Sequence, residues 1–127
     1  YVAVIEGALE PSDGEIRSYL AENSAHEVYS TGTPGEGQLA VTYYHTVRSR
    51  KPYSMVELSL ATGRKNQIRV HMKDAGHPIV GDKRYGARTS PLHRLCLHAR
   101  TLRFVHPITR RDMKFISPLP AGFSKLV

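Results

Sequence analysis

The residues best suited to chemistry are Arg69 and the cations around it. Lys65, Arg69 and Lys73 fall four apart, beside a second stripe of Ile68, Met72 and Ala75. That spacing predicts one helix with an apolar face and a basic face. An arginine on such a face can simply stand in water, as most exposed helix arginines do. Its planar fork can also grip a carboxylate or a phosphate through two parallel hydrogen bonds. Arg64 and Lys65 sit where the helix should begin, and Lys83 and Arg84 follow it, so all four add cationic reach suited to phosphate. His71, His77, His98 and His106 are separated by six, twenty-one and eight residues. Those spacings match no compact ligand set, and no cysteine or carboxylate cluster accompanies them, so no metal is expected. Cys96 is the single cysteine and can form no internal disulfide. It alternates away from Leu95 and Leu97 and is expected to be inert; a lone thiol suits a reducing cytoplasm. Asp82, after Gly81, reads as an acceptor that fixes a loop. Tyr85 suits stacking on a base or ordinary packing.

These side chains need a scaffold, and 127 residues allow one domain. Val2, Val4 and Ile5 are β-branched and Gly7 ends their run, which predicts a strand over 1–6. Glu15–Leu20 predicts a short strand after the turn cluster Glu10–Gly14. Residues 21–38 are polar and predict a loop. Leu39, Val41, Tyr43 and Val47 alternate, which predicts a strand that buries this set on one face. Arg48–Pro52 predicts a turn and Tyr53–Leu60 another strand. The period then lengthens. A helix is expected over Arg64–Ala75, capped by Thr62 and stopped by Gly76. A loop with one extended piece follows at His77–Asp82. One bent strand or two short ones are expected over 94–105, and a last strand around Met113 and Phe115. Met55, Met72 and Met113 read as core fillers, and His98 as a hydrogen-bonded core histidine. Seven or so strands with one principal helix give an α+β class with a mainly antiparallel, mixed β-sheet. No apolar run approaches the 18 or so residues of a membrane helix.

Charge divides the chain. Residues 1–62 carry four basic and eight acidic side chains, whereas residues 63–127 carry fourteen basic and three acidic. A strongly cationic half on a small domain points to a polyanion, most often a nucleic acid. With aromatics at 8% and no tryptophan, a stacking platform for single strands is disfavoured.

Several ordered motifs then fall into one pattern. They are Thr62-Gly63-Arg64-Lys65-Asn66-Gln67-Ile68-Arg69-Val70-His71, Gly76-His77-Pro78-Ile79, Gly81-Asp82, Tyr85-Gly86, and Arg94-Leu95-Cys96-Leu97-His98-Ala99. With Tyr1–Gly7 at the start and Ser117-Pro118-Leu119-Pro120 at the end, the chain resembles the RluA family of RNA pseudouridine synthases. Only 21–38 and 87–92 stand outside the likeness. The resemblance implies an isomerase that converts uridine to pseudouridine in ribosomal or transfer RNA without a metal or organic cofactor. It implies that Arg69 holds the ionised nucleophilic aspartate and that Tyr1 lies against the target base. Arg64, Lys65, Lys73, Lys83 and Arg84 become candidate RNA contacts.

The nucleophile of that family lies in a His-Arg-Leu-Asp segment before the Tyr-centred strand. Here His93-Arg94-Leu95-Cys96 mimics it with Cys in the Asp position, but it belongs to the later motif. The expectation is therefore that residues 1–127 are the C-terminal portion of a catalytic domain whose aspartate lies upstream. A single copy should suffice, acting on RNA and not at a membrane. Arg69, without its carboxylate, should stand open to water or an ion, because an unpaired buried charge is costly. The competing expectation is a non-catalytic basic RNA-binding module of the same fold.

Overall fold

A computed structural model describes all 127 residues. Its strands are β1 (Val2–Glu6), β2 (Asp13–Glu22), β3 (Val28–Thr31), β4 (Gln38–Arg50), β5 (Tyr53–Leu60), β6 (Leu97–His98), β7 (Thr101–Val105) and β8 (Asp112–Ile116). Two helices accompany them, α1 (Gln67–Asp74) and the short α2 (Phe123–Leu126). Six strands form one sheet in the order β3-β2-β4-β5-β1-β6, and β7 pairs with β8 alone. Every pairing is antiparallel. The α+β class with one principal helix is as expected.

β1 shows why the sheet is organised this way. Its run Val2-Ala3-Val4-Ile5 does not alternate, and all four residues are buried. A continuous apolar run is what a strand covered on both faces requires. β1 accordingly lies between β5 and β6, first in the chain but interior in the sheet. The 79–96 loop laces onto it: Val80 N–H donates to the Val4 carbonyl, Cys96 N–H to Val80, and Val4 N–H to Cys96. The main core gathers β1, β5, Ile68, Met72, Ile79 and Val80, and Phe123 of α2 completes it. A smaller cluster of Leu20, Val28, Ala40, Val70 and Tyr85 packs α1 onto the other end of the sheet. Cys96 is fully buried, and burial pushes its thiol up.

The structure corrects several details. β3 lies in the predicted loop and pairs with β2 from Tyr19↔Thr31 to Glu22↔Val28. The Asn23 side chain closes that hairpin by accepting from the Ala25 and Glu27 amides. Only Val28 of β3 is buried, so the apolar pattern carries no trace of the strand. β4 runs on through the predicted turn at Arg48–Arg50. It buries Ala40, Thr42 and Tyr44 together with Val41, while Tyr43 and Val47 are exposed. The even-numbered side faces α1, where Thr42 meets His71. Val47 is displaced by a bulge between the pairs Thr46↔Val56 and Arg48↔Met55. α1 begins three residues later than expected, because Asn66 takes a left-handed conformation with φ 56°. Thr62 is not its cap; it accepts from the Val41 amide and donates to the Gln67 side chain. Met113 is only half-buried, on the β7–β8 hairpin.

The core histidine is His71, not His98. His98 is half-buried and donates to the Ser117 carbonyl. His71 is fully buried, its Nδ1 2.7 Å from Thr42 Oγ1 and its Nε2 2.9 Å from Ser18 Oγ. Burial holds the imidazole below its ordinary value of 6.5, so the fold favours the neutral ring. As pH falls through 6.5, the unfolded chain takes up a proton there that the folded chain refuses. This contribution is therefore complete above 6.5 and declines with acid until the folded ring titrates. Thermal melts between about pH 8 and pH 5 should show Tm falling on the acid side, with His71→Gln flattening that slope. An unchanged slope in the variant would show that another group is responsible.

Candidate active site

Gln67 and His71 fix α1. They lie four residues apart on one helix face and both reach Thr42 of β4. Gln67 is 2% exposed and uses its whole amide. Its Nε2 donates to the Val41 carbonyl and to Thr42 Oγ1, both at 2.9 Å. Its Oε1 accepts from Thr62 Oγ1 at 2.7 Å and from the Arg64 amide at 3.0 Å. With two donors and two acceptor sites engaged, the side chain has no alternative arrangement of equal energy. Arg69, two residues on, is thereby turned to the opposite side of the helix.

There Arg69 meets Asp82. Nε lies 2.9 Å from Oδ2 and Nη2 lies 2.9 Å from Oδ1, a two-pronged pair. The Asp82 side chain is 2% exposed and the Arg69 side chain 23%. The guanidinium lies over the Tyr85 ring at 4.9 Å. Its Nη1 is 3.4 Å from Asn66 Oδ1. Hydrogen bonding to Asp82 raises the pKa of Arg69 above its ordinary value and secures its charge. The expectation of an arginine open to water or an ion is therefore corrected: a carboxylate within the chain already pairs with it. Asp82 does fix its loop, because its carbonyl accepts from the Tyr85 and Ala87 amides, but its carboxylate serves Arg69. Tyr85 is a packing residue, 7% exposed, with its hydroxyl donating to the Val28 carbonyl.

Asp82 engages only the Nε–Nη2 edge. A guanidinium has five N–H donors, and its Nη1–Nη2 edge keeps one hydrogen on each nitrogen for a second oxyanion. Arg69 and Asn66 line a cavity of about 170 Å³ with Tyr1, Arg64 and the apolar Leu60, Ile68 and Leu97. Tyr1 and Arg69, far apart in sequence, thus share one cavity. Tyr1 is held at its backbone, donating to the Leu58 carbonyl at 3.1 Å and accepting from the Leu58 amide at 2.9 Å. Its side chain remains open to solvent.

The candidate RNA contacts separate. Arg64 lines the Tyr1 cavity and anchors its Nε on the Leu39 carbonyl. Lys83 and Arg84 rim a wider cleft of about 420 Å³ that Arg69 also lines. Lys65 pairs with Glu22 at 3.0 Å, and Lys73 lies over a different hollow with Glu6 and Arg88. Sequence reasoning missed the anchoring by Gln67 and Asn66 and the pairing by Asp82. One signal for the last was present: Asp82 is one of only three acids in a half with fourteen cations.

Replacing Asp82 by Asn should cost roughly 1–3 kcal/mol in urea unfolding, since one charge-assisted bond weakens while the partly open guanidinium still reaches water. A loss under about 0.5 kcal/mol would mean that the pair contributes nothing net.

Comparison with known proteins gives the relations of the chain. Residues 1–74 match the family described as RNA pseudouridylate synthase. An uncharacterized RNA pseudouridine synthase, YjbO of Bacillus subtilis, is 38% identical, over 100% of this chain and 44% of its own length. The ribosomal large subunit pseudouridine synthase D of Blochmanniella floridana is 35% identical, over 100% of this chain and 44% of its own. Among solved structures, human RNA pseudouridylate synthase domain containing 1 superposes with TM-score 0.75 at 30% identity, covering 92% of this chain and 52% of that one. The chain therefore spans less than half the length of these two curated relatives.

Proposed function

The chain belongs to the RNA pseudouridylate synthase family, and from that premise we propose that residues 1–127 form the C-terminal portion of the catalytic domain of an enzyme isomerising uridine to pseudouridine in RNA. The carrying observation is the arrangement of Arg69: its Nε–Nη2 edge is held by Asp82, and the residue lines the cavity that Tyr1 also lines. A mere phosphate binder has no need of an arginine held in this way.

In this reading the nucleophilic aspartate comes from outside these residues and meets the Nη1–Nη2 edge. A guanidinium hydrogen-bonded to a carboxylate keeps it ionised and fixes its orientation. The isomerisation breaks the C1′–N1 bond of uridine and forms a C1′–C5 bond. The proton leaves C5 and one is gained at N1, so no oxidant, metal or organic cofactor is required. The Tyr1 ring supports the uracil while it turns, and its hydroxyl serves in the proton transfer from C5. Leu60, Ile68 and Leu97 give the base an apolar wall. Arg64, Lys65, Lys73, Lys83 and Arg84 contact RNA phosphates, which set affinity and position but not sequence.

Both Tyr1 and Arg69 come from one copy, which supports a monomeric enzyme. A free, buried Cys96 fits a reducing cytoplasm. The RNA is ribosomal or transfer; the relative named for the large ribosomal subunit favours the first.

The test uses the full-length protein with cellular RNA and measures pseudouridine formed. Arg69→Lys should leave RNA binding intact and slow turnover roughly 10- to 150-fold, the equivalent of one charge-assisted hydrogen bond of about 1.5–3 kcal/mol. Wild-type turnover in that variant would remove Arg69 from the mechanism. An inactive wild type that still binds RNA would favour the non-catalytic module.

A further inference from the structure

The wider cleft beside Arg69 has a construction that the isomerisation does not explain. Its volume is about 420 Å³, and its lining includes Lys83, Arg84, Ser90, His93 and Arg94, with Leu95 as the one hydrophobic residue. Arg69 and Asp82 form its floor and cancel each other's charge. The sign of the cleft is thus set by Lys83, Arg84 and Arg94, none of which has a carboxylate partner.

The wall carrying Arg94 is built at a cost. His93 has φ 54°, a left-handed conformation rare for a residue with a side chain. Gly81 has φ 84°, and a Cβ there would lie 2.0 Å from the Arg94 carbonyl oxygen, so the wall closes to a distance only glycine permits. The Arg94 guanidinium is pre-placed: Nε donates to the Leu95 carbonyl at 3.0 Å, and the group stacks 5.2 Å above the buried Phe123 ring. A polar concavity with three unbalanced cations, one of them immobilised, suits a compact anion.

Arg69 lines both this cleft and the Tyr1 cavity. A nucleotide whose base lies beside Tyr1 therefore has its sugar–phosphate within reach of the cleft. Building on the RNA reading above, we propose that Lys83, Arg84 and Arg94, set between the Gly81 loop and the strained His93 turn, bind the RNA backbone phosphate flanking the uridine in the Tyr1 cavity. This gives the His93-Arg94 pair, which resembles a nucleophile segment without being one, a role in seating the substrate.

The probe is decauridylate, with binding to the chain followed by fluorescence anisotropy across a salt series. Lys83→Gln with Arg84→Gln should lower the salt slope by about one, the loss expected when a single phosphate contact is removed. Arg48→Gln with Arg50→Gln, an equal loss of charge at the far end of β4, should leave the slope unchanged. In amide spectra, decauridylate should move the His93 and Arg94 signals, and free uridine should not. Equal slope losses in the two pairs, or unmoved signals at 93 and 94, would overturn the cleft. Pseudouridine formation by the full-length protein is scored separately. Inactivity with the expected slopes removes the isomerase and keeps the cleft, and activity without them removes the cleft alone.

Discussion

One ion pair, Arg69 with Asp82, organises the end of the molecule where the helix meets the 79–96 loop. A charged group in a partly dry setting must be compensated, and compensation usually consumes the group. Here a buried carboxylate takes only one edge of the guanidinium, and Asn66 touches the other at Nη1. The cation is thereby stabilised in place while keeping the edge needed for a second oxyanion. Tyr85 beneath and Asn66 at the side remove the remaining freedom. The cost of ordering a long side chain is then met during folding and not when substrate arrives.

The sheet makes that arrangement possible. α1 is bound to β4 through Gln67 and His71, which converge on one hydroxyl, that of Thr42. The opposite side of the helix carries Arg69 to Asp82 of the 79–96 loop, which is itself laced onto β1 through Val80 and Cys96. Tyr1 leads into β1, so the two ends of the candidate site are joined through the same central strands. Hydrogen bonds on one helix face and an ion pair on the other thus perform separate tasks with little interference.

Much of this was readable in the residues, and the failures have definite causes. The strand at Val2–Glu6 was legible as a β-branched run ended by Gly7, and the Arg69 helix because burial imposes a period on apolar residues. β3 was not, because an edge strand exposing polar side chains has no period to show. The buried side of β4 was misread because Thr42 is polar: its burial is secured by hydrogen bonds from α1, which hydropathy does not record. At the site, Arg69 and Tyr1 were found through motif resemblance, and the structure places them on one cavity. The pairing of Asp82 was missed because nothing in the spacing of residues 69 and 82 says that a loop folds back across a helix.

α1 has only eight residues. In water a helix of that length scarcely persists, since nucleation costs more than so few turns return. Its order is borrowed from β4, so the Arg69 side chain has no fixed location until that strand is in place. The guanidinium is therefore set only as the sheet closes, and it is released when the centre of the sheet loosens.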